Sequence, residues 1–245
     1  AHYRLGFLAY RYKDYSKALV HFETAIELNK RSLESEYKLN ELQHYYAHLY
    51  LTNSALYIAQ FTHESLDEME NEEYEKLPNY EISPFYNIIA ANEAYLSKNT
   101  YTAVTREGKR YCTKEEAEDL TEMKNTLICY FGDHENAVFY NGNSKTLSMN
   151  QAEMLRYILL YGTEKRPATK MDMENIFERK NPDQELANNT FYQAIGRLKR
   201  RLESINFSVE TIQSKRIDDL TGYFCTGKEP YCIIHRSDAD FLLDW

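Results

Sequence analysis

The chain has 245 residues, with 29 Lys and Arg against 38 Asp and Glu, a net charge of −9, and 43% hydrophobic and 14% aromatic content. That length suits one or two domains, and the composition excludes collagen, fibrous repeats and wholesale disorder. No stretch approaches the ~20 consecutive apolar residues of a membrane span, and charges throughout the first thirty residues leave no apolar core for a signal peptide. No membrane contact is therefore expected within this sequence. Cys112, Cys129, Cys225 and Cys232 form no C-x-x-C pair, which points to reduced thiols and a cytoplasmic location rather than a disulfide framework or a zinc knuckle. The sequence opens at Ala1 inside a helical pattern, so a longer parent protein is expected.

Charge is unevenly spread. Through Asp133 there are 14 basic and 22 acidic residues, and beyond it 15 and 16, so net charge falls from −8 to −1. Within 188–216, Arg197, Lys199, Arg200, Arg201, Lys215 and Arg216 face only Glu203 and Glu210. An acidic protein thus carries one basic island, a feature that becomes informative only with the pattern around it.

From Tyr3, apolar residues at Leu5, Leu8, Ala9 and Tyr12, then at Ala18, Leu19, Phe22, Ala25, Ile26 and Leu28, follow a 3.6-residue period. Lys13-Asp14-Tyr15 separates the two runs. Two antiparallel helices are expected, touching closely where Gly6, Ala18 and Ala25 keep side chains small. Leu5-Gly6, Tyr15, Ala18, Phe22 and Ala25 have the spacing of a ~34-residue unit, and this stretch resembles a tetratricopeptide repeat, with Lys30 where the family has Pro. Such a unit needs neighbours to cover its apolar face. Leu39 and Ala59 fall one period after Leu5 and Ala25, so a degenerate second repeat is expected, with helices over 32–51 and 53–63. His44 and His48 stand i, i+4 without a third ligand and read as ordinary helix residues rather than a metal site.

The acidic segment 65–77 is expected to be a solvated helix or a linker. Pro84 to Leu96 reads as a helix, and TYTAVTREGKRYC as a hairpin turning at Glu107-Gly108. Thr113 and Glu116 form a capping box for the next helix. Residues 65–123 are taken as a connector extending the helical array.

Asn125–Phe131, Ala137–Tyr140 and Lys145–Leu147 predict a small antiparallel sheet. Ser148 and Gln151 cap a helix with an inward stripe of Met154, Leu155, Ile158 and Leu159, ending at Gly162. A second helix is expected over about 170–180. A third carries Phe191, Ile195, Leu198 and Leu202 on one seam and Thr190, Gln193, Ala194, Arg197, Arg200 and Arg201 opposite. Ser208–Ile212, a loop with Lys215-Arg216 and Asp218-Asp219, and Gly222–Cys225 predict a hairpin. Cys225 and Cys232 flank a Thr-Gly-Lys-Glu-Pro turn as two unpaired strand thiols.

Over about 124–226 this order resembles the DNA-binding domain of OmpR/PhoB-type response regulators. Leu147-Ser148 with Gln151 stands for the family's Leu-Thr-x-x-Glu, Thr190 to Leu202 follows its third helix, and Glu210-Thr211-Ile212 with Gly222-Tyr223 matches its wing. The resemblance implies phosphate contacts from Thr190, Arg197, Lys199 and Thr211, and wing contacts from Lys215 and Arg216. Ala194 and Gly196 stand where that family commonly bears longer base-reading side chains, and Asn189 replaces its Arg. Direct readout would then fall to Asn189, Tyr192, Gln193 or the wing, with Arg200 joining Arg197 and Lys199 in neutralising phosphates.

No P-loop, G-x-G-x-x-G, H-E-x-x-H or G-x-S-x-G is present, so neither catalysis nor a cofactor is expected. The expectation is a mostly α protein: tetratricopeptide-like helices over 1–123 and a C-terminal α+β winged helix over 124–245. It would be a transcription regulator contacting double-stranded DNA, its repeats binding a protein or peptide partner or forming a homodimer. The alternative is a non-enzymatic adaptor in which both parts contact proteins.

Overall fold

The computed structural model describes residues 1–31, 38–67, 84–132, 135–177, 188–217, 220–241 and 243. The chain forms two compact units, Ala1–Lys98 and Asn99–Trp245. The first is helical: α1 (His2–Arg11), α2 (Tyr15–Arg31), α3 (Glu41–Asp67) and α4 (Pro84–Lys98). Lys13, at φ 59°, makes the tight reversal between α1 and α2. Gly6 lies against Phe22 so closely that a Cβ would sit 2.9 Å from the ring. Around that contact Ala18, Phe22, Ala25 and Ile26 of α2 pack with Tyr3, Tyr46, Ala47 and Tyr50. Each large side chain withdrawn from water here contributes about 1.5–3 kcal/mol before conformational entropy is charged against it.

The expected pair of helices over 32–51 and 53–63 is instead one 27-residue helix, α3. No Gly or Pro interrupts it. Two polar residues at its middle are satisfied within the helix, Thr52 Oγ1 donating to the His48 carbonyl at 2.9 Å and Ser54 Oγ to that of Tyr50 at 2.7 Å. Residues 32–37 and most of the acidic segment 65–77 lie outside the described residues.

The second unit is an α+β structure larger than the small antiparallel sheet expected. It contains β1 (Tyr101–Thr105), β2 (Gly108–Cys112), α5 (Lys114–Asp119), β3 (Leu127–Phe131), β4 (Asn136–Tyr140), β5 (Asn143–Leu147), α6 (Met149–Tyr161), α7 (Asn188–Glu203), β6 (Ile212–Ile217), β7 (Leu220–Cys225) and β8 (Tyr231–Arg236). Six strands form one mixed sheet in the order β2-β1-β8-β3-β4-β5, and β6 and β7 form a separate hairpin. The β8 strand pairs antiparallel with β1, Ala103 opposite Ile234, and parallel with β3, Cys129 opposite Ile233. That pairing corrects the expected domain limits. Residues 99–123 are not an extension of the helical array, because β1 and β2 hydrogen-bond into the sheet of the second unit. It also makes the whole molecule α+β rather than mostly α.

Both capping boxes form. Thr113 Oγ1 accepts from the Glu116 N–H at 3.1 Å while Glu116 accepts from the Thr113 N–H at 2.9 Å; Ser148 and Gln151 do the same for α6. Gly162 ends α6 in an extended conformation, where a Cβ would meet the carbonyl oxygens of Ile158 and Tyr223 at 2.7 and 2.9 Å. The helix expected over 170–180 is a 3-10 turn, Met171–Ile176, in its described part. Its start is fixed by Thr169, whose N–H and hydroxyl both donate to Asp172 at 2.7 Å. A 3-10 turn, Val209–Thr211, replaces most of the strand expected at 208–212, and Asp218 and Asp219 lie outside the described residues. Cys225 and Cys232 stand on strands of different sheets, and all four thiols are free. Among the described residues no helix is long and apolar enough to cross a membrane.

Candidate functional site

In the first unit, α1 presents two faces. Tyr3 and Gly6 are buried, and Leu5 and Leu8, with Tyr12 at the C-cap, standing at i, i+3 and i+7, are 45%, 47% and 82% exposed. Those spacings place the three on one side of the helix. An exposed apolar stripe on a helix that has already buried its other side is a contact surface in search of a cover. A cavity of about 410 Å³ opens beside the start of α1, with Ala25, Leu28 and Leu39 as its apolar wall and His2 and Arg31 at its polar edge.

The interior of this unit holds a polar network that sequence spacing does not show. Tyr10 donates its hydroxyl to Glu93, Asn53 Nδ2 donates to Glu93 Oε1 at 3.3 Å and to Tyr10 Oη at 3.2 Å, and Asn92 Nδ2 donates to Asn53 Oδ1 at 2.7 Å. Burial first, and then the Glu93 carboxylate, push the Tyr10 phenol far above its ordinary range. The Tyr57 phenol rises for the same two reasons, and its ring stacks on Tyr15 at 4.3 Å. The hydrogen bonds tie α1 and α3 to α4 through one carboxylate, and the Tyr15–Tyr57 stack adds α2.

In the second unit, α7 divides as its sequence predicts on the apolar side. Phe191, Ile195, Leu198 and Leu202 are buried, and Phe191 packs edge-on against Tyr223 of the hairpin with ring centroids 6.0 Å apart. Asn189, Thr190, Gln193, Arg197, Arg200 and Arg201 are exposed. Gln193 Nε2 donates to Asn189 Oδ1 at 3.4 Å, and Arg200 Nε to the Gly196 carbonyl at 3.4 Å. Arg197, Arg200 and Arg201 form no ion pair with a described residue. A cleft of about 320 Å³ runs between this face and the start of α6, where Asn150 and Gln151 approach Thr190 and Arg197.

Several sequence-predicted contacts are not brought to that face. Ala194 is 7% exposed and belongs to the core, not to the outer surface. Lys199 is half-buried with its ammonium 5.6 Å from the centre of the Tyr223 ring, and burial lowers its pKa. Thr211 is 2% exposed, held in the 3-10 turn before β6, so its hydroxyl cannot meet a phosphate. Tyr192 is half-buried. Lys215 and Arg216 are exposed on β6, but adjacent strand residues point to opposite sides, and Lys215 Nζ donates to the Glu164 carbonyl at 3.3 Å.

Among the described residues no three His, Cys, Asp or Glu side chains converge as a metal site would require. His44 and His48 form a ring pair 4.8 Å apart, and His2 Nδ1 lies 3.2 Å from His21 Nδ1; both are two-member groups. Burial, then His44 and Lys30, lower the His48 pKa.

Residues 1–32 match the tetratricopeptide repeat family. No curated protein and no solved structure matches this chain. Within the matched tetratricopeptide repeat lie the Gly6–Phe22 contact, the buried Ala18 and Ala25, and the exposed stripe of α1. A tetratricopeptide repeat points to protein–protein interaction, and nothing in these comparisons bears on the second unit.

Proposed function

We propose that this chain is a non-enzymatic, cytoplasmic adaptor whose helical unit takes a protein or peptide partner. The observation that carries this reading is the tetratricopeptide repeat at residues 1–32, together with an apolar stripe on its first helix that the described residues leave exposed. Leu5, Leu8 and Tyr12 supply neighbouring apolar area, and Tyr12 is of the residue type that anchors protein contacts. Full-length chain isolated from its own cells should carry a stoichiometric companion, or a second copy of itself, that a Leu5→Asp/Leu8→Asp variant loses while keeping its helical circular dichroism. A companion retained equally by the variant would remove the stripe from the account.

One observation favours a more specific role for the second unit. The outer face of α7 holds three arginines that no described carboxylate neutralises, alongside Asn189, Thr190 and Gln193. The helix is braced from behind by α6 and by the β6–β7 hairpin, which the second reading takes as a winged helix. In that second reading α7 enters the major groove of double-stranded DNA, Arg197 and Arg200 neutralise phosphates, and the chain is a transcription regulator. Dimerisation through the helical unit would set two such helices on neighbouring half-sites. Affinity for a duplex should then fall steeply with salt, at about 0.9 log units per log unit of salt for each phosphate neutralised. The Arg197→Ala/Arg200→Ala variant should flatten that slope by about two contacts. A duplex affinity unchanged in the double variant would leave the adaptor reading alone.

A further inference from the structure

Gly196 occupies the interior of α7, where glycine destabilises a helix relative to alanine. The fold gives no reason for it. At Gly6 a Cβ would strike Phe22, whereas at Gly196 a Cβ would meet nothing within 4 Å. Its φ is not in the left-handed region, unlike that of Gly108, Gly142 and Gly227. The position borders Gln193 and Arg200 on the helix surface, three and four residues away, with Arg197 next in the chain, and its carbonyl is within reach of Arg200 Nε. A helix that gives up a side chain where space is open, at the edge of its cationic face, is shaped for a surface that comes closer than a Cβ allows. The charge around it selects that surface: Arg197, Arg200 and Arg201 call for a dense polyanion.

We propose that Gly196 is the point at which a sugar–phosphate strand of duplex DNA reaches van der Waals contact with the backbone of α7, with Arg197 and Arg200, just beyond it on the helix, gripping that strand's phosphates. This rests on the DNA-docking reading of α7 and adds to it that docking there is by shape and charge, with no base read at position 196. A glycine can offer a base edge no side-chain donor or acceptor, so that part of the contact is indifferent to sequence.

The test is a fluorescence-anisotropy titration of the full chain with a random duplex of about 20 base pairs, long enough for two half-sites, at low salt, paired with thermal melting. Wild type, Gly196→Ala and Gly196→Leu are compared. Gly196→Ala should melt a few degrees higher than wild type, since alanine is the better helix former. It should nevertheless bind the duplex about tenfold more weakly, as expected for a methyl group forced into a close contact, and Gly196→Leu should bind more weakly still. Wild-type binding with both variants equally tight or tighter would overturn the close approach and leave the DNA reading standing. A lowered melting point for Gly196→Ala would mean that the fold itself needs the glycine, which also overturns it. A wild-type chain that ignores the duplex would remove the DNA reading and this inference with it.

Discussion

Gly6 and Phe22 meet at a distance that admits no further carbon, and this contact sets the separation of α1 and α2. A Gly6→Ala chain must shift the ring or part the helices, so it should lose about 1–3 kcal/mol of stability, read as a lower urea midpoint by circular dichroism. An unchanged midpoint would show that the ring has room to move. The buried thiols supply a second residue-scale expectation. Burial pushes the Cys129 thiol up to about 12 and the Cys232 thiol up to about 11. In the denatured chain both return to the ordinary value near 8.5. The folded state therefore keeps protons that the denatured state releases. The stability they contribute is fully present below about pH 8.5 and is lost as pH rises toward 11 to 12. The urea midpoint should be lower at pH 10 than at pH 8, and a Cys129→Ala/Cys232→Ala variant should show a smaller drop; an equal drop would take the thiols out of the cause. Gly6, Ala18, Phe22 and Ala25 were legible in the sequence because a repeat fixes both their spacing and their partners, whereas Leu5, Leu8 and Tyr12 of the same apolar run are exposed. Ala194, Lys199 and Thr211 were not legible. Which way each faces depends on how α7 is rotated against Tyr223 and how the 3-10 turn enters β6, and both are long-range packing outcomes.

At the scale of elements, local chemistry was read correctly wherever it was self-contained. The Thr113–Glu116 and Ser148–Gln151 boxes, the β1–β2 hairpin and the seam of α7 need no distant partner to be specified. Replacing Ser148 by Ala frees the N–H groups at the start of α6 and should cost about 1 kcal/mol, measured as a shift in the denaturation midpoint; no shift would mean that water or a neighbour replaces the cap. The elements that escaped were those decided by their surroundings. Residues 53–63 became part of one long helix because Asn53, buried at its middle, finds Tyr10 and Glu93 rather than a turn. The β8 strand announces itself only as Tyr231-Cys232-Ile233-Ile234 between Pro230 and Ser237. A run that short is ambiguous until β1 and β3 are seen on either side of it.

At the scale of the whole molecule, the chain closes its second unit with β8, and in its first unit the described residues leave one side of α1 exposed. Because β8 joins β1 to β3, an Ile233→Asp substitution sets a charge on a side chain that is 0% exposed at the centre of the sheet. It should abolish the cooperative unfolding of the second unit while leaving helical signal; a full native transition would contradict the central place of β8. The exposed side of α1 is the feature on which the proposed function turns. The measurement that meets it most directly is photocrosslinking in the native cell, with a photoreactive residue at Leu8 of α1 or at Tyr12, its C-cap, and, as reference, at the exposed Glu115 of α5. A protein that covers the stripe should give one discrete crosslinked product, identifiable by mass spectrometry, at both stripe positions and not at Glu115. Positions 8 and 12 that yield nothing above the Glu115 background would contradict the partner-binding role of the helical unit.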